Sequence, residues 1–221
     1  MLLFGHVLLS GINIFMGNQG KIKIAVTGGI GSGKSEFCRF LSELGIPVIN
    51  VDEVSKALLE NDSEIRIQII KEFGTQSYVG RKANKKYLAE QVFADPGKVL
   101  KANSIIHPKV ISKVNILTEE ILKENNIAAA EAALIYEADM KKYFDFVILV
   151  TAEEKVRMKR KIELENYSEG QFIKRNENQI PDSEKRKRAD FIFENNKGLD
   201  ELKSKAFLLK NILTGLIKTN E

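Results

Sequence analysis

Gly28, Gly29, Ile30, Gly31, Ser32, Gly33, Lys34 and Ser35 satisfy the spacing G-x-x-x-x-G-K-[ST] in full. Each residue type in that order has a reason. The glycines let the backbone fold round an anion with its N–H groups pointing inward, including at positive-φ positions closed to other residues. Lys34 has the reach and charge for β- and γ-phosphates, and the Ser35 hydroxyl is an oxygen ligand for Mg²⁺. A helix opening near Lys34 adds its N-terminal dipole, and the free amides of Ser35 and Glu36 suit the α/β region of the same ligand. A glycine-rich turn that ends by chance in Lys-Ser is the plainer alternative. The apolar run before the motif and the amphipathic stretch after it favour a nucleoside triphosphate site with Mg²⁺.

A carboxylate is the next requirement for phosphoryl transfer, and "VINVDEVSKALLE" supplies Asp52 just after a second apolar run. Ligands of open α/β sheets bind at the C-terminal strand edge, where such an acid would stand. There it can accept a proton from an attacking hydroxyl or hold Mg²⁺ through water. It can also cap a helix starting at 53, and the roles are compatible. Two other signals are missing. There is no N-K-x-D base-reading motif, and "FDFVILV" runs into Thr151 where a hydrolytic motor has an acid.

Further polar residues have plain readings on their own. Arg160 sits in "KVRMKRK", a charge run that reads as a solvated helix face. His107 before Pro108 reads as shaping a helix start, and Asn195 as a turn residue. The basic stretch "EKRKRAD" (184–190) lacks the interleaved aromatics of a nucleic-acid surface. It reads as solvated charge, or as a positive fringe for a polyanionic substrate, with no nucleic-acid partner expected. Two histidines, His6 and His107, leave little scope for zinc. The single Cys38 excludes an intrachain disulfide and fits a cytoplasmic protein. A net charge of +4, from 34 basic and 30 acidic residues, decides nothing by itself.

These residues need a rigid frame, and 43% hydrophobic residues are enough to build one. "IKIAVT" (22–27), "IPVIN" (46–50), "NIAAAEAAL" (126–134), "FDFVILV" (144–150) and "DFIFEN" (190–195) read as strands. Between them lie helical stretches at 34–44, 52–125 and 153–180, and a terminal helix at 199–217. Alternating strands and helices predict an α/β fold with a parallel sheet flanked by helices. The expected organisation is one domain over 21–221, with a helical insert at about 53–125 and a helical lid at about 153–180. Residues 1–20 read as an extra segment ahead of it. "MLLFGHVLLSGINIF" is shorter than the roughly 20 residues of a membrane span and lacks a basic lead, so neither anchor nor signal peptide is expected. Translation from Met16 is the simpler expectation.

The ordered motifs resemble the dephospho-CoA kinase family from about 21 to 215. The family's P-loop T-G-G-I-G-S-G-K-S is matched by residues 27–35, and its acid after the second strand by Asn50-Val51-Asp52. Its H-P corresponds to His107-Pro108 and its P-L-L-x-E to Ala133-Leu134-Ile135-Tyr136-Glu137. The lid L-K-R corresponds to Met158-Lys159-Arg160, Q-x-P to Gln179-Ile180-Pro181, and A-D-x-x-I-x-N to Ala189-Asp190 through Asn195. The resemblance implies a P-loop kinase fold, ATP with Mg²⁺, and phosphorylation of the ribose 3′-hydroxyl of dephospho-CoA. By the same resemblance Asp52 is the base and Lys34 and Arg160 supply charge. Asn195 would line the adenine pocket, with His107 in the acceptor-binding insert. A monomer or small homo-oligomer is expected. Asn50 departs from an acid and Ala133 from a proline, and Leu164-Glu165 stands where the family often has Arg-Asp. Lys161 or Arg175 is the expected source of the missing lid charge. Another nucleotide or nucleoside kinase, or an ATP-binding regulatory protein, are the competing readings.

Overall fold

The computed structural model describes residues 20–92 and 95–218. The readings made on residues 1–19, including the start at Met16, lie outside the described residues. Five strands form the main sheet: β1 (Ile22–Thr27), β2 (Val48–Asn50), and, numbering past a short hairpin, β5 (Ile127–Glu131), β6 (Phe146–Thr151) and β7 (Phe191–Glu194). Their order is β2-β5-β1-β6-β7, and β1 pairs in parallel with both β5 and β6, as β6 does with β7. All residues of β5 and β6 are buried. That burial on both faces is why their sequences run apolar without alternation.

Helix α1 (Lys34–Glu43) and the terminal helix α9 (Leu199–Lys218) pack together over this sheet. Phe37 and Leu41 from α1 meet Leu202, Ala206, Leu209 and Leu213 from α9, above Ile24, Val26, Ile148 and Phe193. Each large apolar side chain so buried contributes roughly 1.5–3 kcal/mol. Gly45, at φ 84°, ends α1 and lets Ile46 bond back to the Leu41 carbonyl at 3.0 Å. The described residues of this part of the chain also form α6 (Glu154–Glu165), α7 (Glu169–Glu177) and α8 (Asp182–Arg188).

The chain divides into two compact units, Asn50–Leu117 and the chain on either side of it. The smaller unit holds α2 (Val51–Asn61), α3 (Ser63–Phe73), the antiparallel hairpin β3 (Tyr78–Val79) and β4 (Lys82–Ala83), α4 (Lys85–Val92) and most of α5 (Pro96–Glu124). It has its own core of Ile65, Ile69, Phe73, Tyr78, Leu88, Ala102 and Ile105. Asp62 caps α3 by accepting from the Ile65 amide at 2.9 Å. His107-Pro108 does not open a helix, which removes one of its two readings: Pro108 lies inside α5. Buried residues on both sides of it, Ile105 and Val110, keep the helix continuous despite the missing amide.

Candidate active site

The glycine-rich loop joins β1 to α1 at the C-terminal edge of the sheet. Gly31 and Gly33 stand at φ 77° and 89°, the left-handed region that the loop's turns require. Gly33 is also the N-cap of α1, so the helix opens without a side-chain cap and leaves its first amides available. Ser32 N–H donates to the Gly29 carbonyl at 3.1 Å, closing the turn. A Cβ at Gly28 would collide with the Val150 carbonyl and lie 2.6 Å from Ser32 Oγ. Glu36 is turned to Arg39, whose Nε donates to it at 2.9 Å. Its side chain serves the helix surface, whereas only its amide belongs to the loop region.

The acid at this loop comes from a strand the motif search passed over. Glu131, the last residue of β5, accepts from Ser35 Oγ at 2.6 Å and lies 3.3 Å from Lys34 Nζ. β1 pairs Val26 with Glu131, which sets that carboxylate one strand away from the loop. The acid missing from the end of "FDFVILV" is therefore present at the end of "IAAAE" instead. Ser35 Oγ and the Glu131 carboxylate form a hard-oxygen pair that suits Mg²⁺. Burial raises the pKa of Cys38, one turn along α1, well above a free thiol's value, and the Glu131 charge adds to the shift.

Asn195, which follows β7 and is buried, clamps the loop from the other side. Its Nδ2 donates to the Ser32 carbonyl at 2.9 Å, and its own N–H donates to the Thr151 carbonyl at 2.7 Å. Arg160 on α6 reaches the same residue, with Nη2 2.8 Å from the Asn195 carbonyl. Among the described residues Arg160 Nη1 is buried without a hydrogen-bond partner, and burial lowers the pKa of its guanidinium. The "KVRMKRK" run is thus no uniform solvated face.

Two buried cations escaped the sequence reading. Arg157, three residues before Arg160, is 4% exposed and lies against the loop. Lys185 of α8 is 0% exposed, so "EKRKRAD" is not wholly solvated charge. Its Nζ donates to the Ala133 carbonyl at 3.1 Å and lies 3.3 Å from Glu137. Glu137 in turn accepts from the Ile180 amide at 2.8 Å, and Gln179 beside it accepts from the Ile30 amide at 3.1 Å. Asp190 has a structural task, accepting from the Val147 amide at 2.7 Å where β6 and β7 begin to pair.

Asp52 and His107 belong to the smaller unit. Asp52 is exposed in the first turn of α2, directly after β2. It is not the cap, because Asn50 is: Asn50 Oδ1 accepts from the Glu53 amide at 3.1 Å. The Asp52 carboxylate is left for other work. His107 is half-buried in α5, and burial lowers its pKa.

A parallel sheet with this loop at its edge, a helix springing from Lys34 and an acid on the adjacent strand define a P-loop kinase. Among solved structures, a Thermus thermophilus protein superposes with a TM-score of 0.73 at 30% identity, covering 86% of this chain and 97% of that one. Two others share the fold: the dephospho-CoA kinase of Campylobacter jejuni (TM-score 0.60, 23% identity, 88% and 98% covered) and the shikimate kinase of Acinetobacter baumannii (0.53, 16%, 89% and 96%). A family model described as dephospho-CoA kinase matches residues 22–201. Curated dephospho-CoA kinases include those of Salinibacter ruber, 36% identical over 194 residues (87% of this chain, 98% of the relative), and Chlamydia abortus, 33% identical over 186 residues (83% and 92%). The chain belongs to the dephospho-CoA kinase family.

Proposed function

We propose that the chain transfers the γ-phosphoryl group of ATP to the ribose 3′-hydroxyl of dephospho-CoA, giving coenzyme A and ADP. The observation that carries this reading is the cluster of Lys34, Ser35 and Glu131 at a phosphate-binding loop, in a chain of this family. Residues 28–35 cradle the phosphates through backbone amides, with Lys34 on the β- and γ-oxygens. Ser35 and Glu131 would hold Mg²⁺, which when bound neutralises charge on the β- and γ-phosphates. Asp52 takes the proton of the 3′-hydroxyl as that oxygen bonds to the γ-phosphorus. The bond from phosphorus to the β–γ bridging oxygen breaks, and ADP carries the electron pair away. Arg160, with Nη1 unpartnered, supplies positive charge to the spreading anion. Asn195 shapes the nucleotide side by holding both Ser32 and Arg160.

Transition-state stabilisation here is positioning and charge neutralisation, so the named groups should differ in what they affect. Asp52→Asn should keep ATP binding and lose turnover by about 10²–10⁴-fold, the usual worth of a positioned base. Lys34→Ala should lose both. Measuring ADP release with dephospho-CoA beside ATP titration decides it, and wild-type turnover in Asp52→Asn would remove Asp52 from the mechanism. Among the described residues no helix is long and apolar enough to cross a membrane. We place the reaction in the cytoplasm on the grounds of the single Cys38.

A further inference from the structure

Ile30, at the turn of the phosphate loop, has both of its peptide groups taken by side chains. Its N–H donates to Gln179 Oε1 at 3.1 Å, and its carbonyl accepts from Arg157 Nη1 at 3.2 Å. The Arg157 fork is otherwise engaged as well. Nη1 donates to Asn176 Oδ1 at 2.9 Å, and Nε donates to the Ala152 carbonyl at 3.1 Å. The carboxylates of Glu154 and Asp182 each come within 4.0 Å, and the ring of Phe172 lies 5.8 Å from the guanidinium carbon. A buried guanidinium with this many partners cannot shift cheaply.

Two of the loop's glycines stand where Arg157 leaves no room for a side chain. A Cβ at Gly31 would lie 2.6 Å from the Arg157 carbonyl oxygen, although φ 77° already asks for glycine there. Gly29 is different. It is not among the positive-φ glycines, so its backbone makes no such demand. A Cβ there would lie 2.6 Å from Arg157 Nη1 and 3.1 Å from Asp182 Oδ1. The glycine at 29 is explained by the arginine.

We infer that Arg157 is a positioning residue for the nucleotide: it presets the Ile30 peptide and ties the loop to α6 and, through Asn176, to α7. The inference rests on residues 28–35 being the nucleotide site. A loop held in its binding conformation loses less entropy when the phosphates arrive. Removing the hold therefore weakens nucleotide binding while leaving the acceptor's KM unchanged. A merely structural arginine would lower the melting temperature and leave the affinity of folded molecules as it was.

The experiment is titration calorimetry of Mg·ATP without acceptor, at a temperature where circular dichroism shows each variant folded. Arg157→Ala and Gly29→Ala should each weaken binding by about tenfold, and the double variant should be no weaker than Arg157→Ala, the signature of coupled neighbours. Arg157→Lys should not rescue, since one ammonium cannot hold Ile30 and Asn176, as Nη1 does, while also reaching the Ala152 carbonyl that Nε holds. Gln179→Ala keeps Arg157 in place and carries the test if Arg157→Ala fails to fold. It is expected to weaken binding about tenfold with little change in melting temperature. Wild-type affinity in these folded variants, or additive losses in the double variant, would overturn the inference. Because the readout is nucleotide binding, a failure to phosphorylate dephospho-CoA would overturn the proposed reaction and leave this test standing.

Discussion

Glu131 is where the residue scale matters most, because one carboxylate serves both Lys34 and Ser35. Glu131→Gln keeps the shape and an oxygen acceptor but removes the charge. Turnover should fall by about 100-fold, and the Mg²⁺ concentration for half-maximal rate should rise. An unchanged Mg²⁺ dependence would show that Ser35 alone suffices. The lid charges can be separated in the same way. Lys161 Nζ is 2.5 Å from Glu165, so its charge is already answered within α6. Arg175 is exposed and lies over the Tyr167 ring at 5.2 Å, leaving its charge open to an incoming anion. Arg175→Ala should therefore lower turnover several-fold, more than Lys161→Ala does. The reverse order in steady-state rates would assign the charge near Leu164 to Lys161 instead.

At the scale of elements, α6 and α8 show why some of the site was hidden. Both read as charged surface helices, yet Arg157 on α6 and Lys185 on α8 are buried, and Arg160 on α6 also reaches inward to Asn195. Polar periodicity cannot mark such a position, because arginine and lysine look the same on either face. β5 hid its acid for another reason: "IAAAE" is built of alanines, so its end was no obvious boundary. The loop at 27–35, by contrast, was legible in full, since glycine spacing states the backbone geometry directly. Asn50 was read as a lost acid and proved to be the cap of α2, a local bond that the spacing to Glu53 already allowed. Lys185 carries the prediction at this scale. It is fully buried against Glu137, which also holds the Ile180 amide. Lys185→Met leaves that carboxylate buried without its cation, and should cost about 3–5 kcal/mol in urea unfolding. A loss below about 1 kcal/mol, the scale of an exposed pair, would show that the buried charge is relieved by other means.

The whole molecule follows from strands and helices alternating along the chain, which gave the parallel sheet and its edge site from sequence alone. The division at Asn50–Leu117 was less legible, because Pro108 suggested a break where α5 runs on. The smaller unit brings a pH dependence with it. Burial holds His107 below the ordinary value of 6.5, so the unfolded chain binds that proton more tightly than the folded one. Stability contributed by neutral His107 is present above that value. It is lost as pH falls from about 6.5 through the lower folded value. Between about pH 7.5 and 5, melting temperature should fall more steeply for the wild type than for His107→Gln. Parallel curves would mean that other groups govern the acid response. The account as a whole stands on the acceptor. In a coupled ADP-release assay with Mg·ATP, the protein should turn over with dephospho-CoA and not with AMP, dTMP or nucleosides. ADP release that ignores dephospho-CoA, while ATP still binds at residues 28–35, would contradict the kinase reading at its centre.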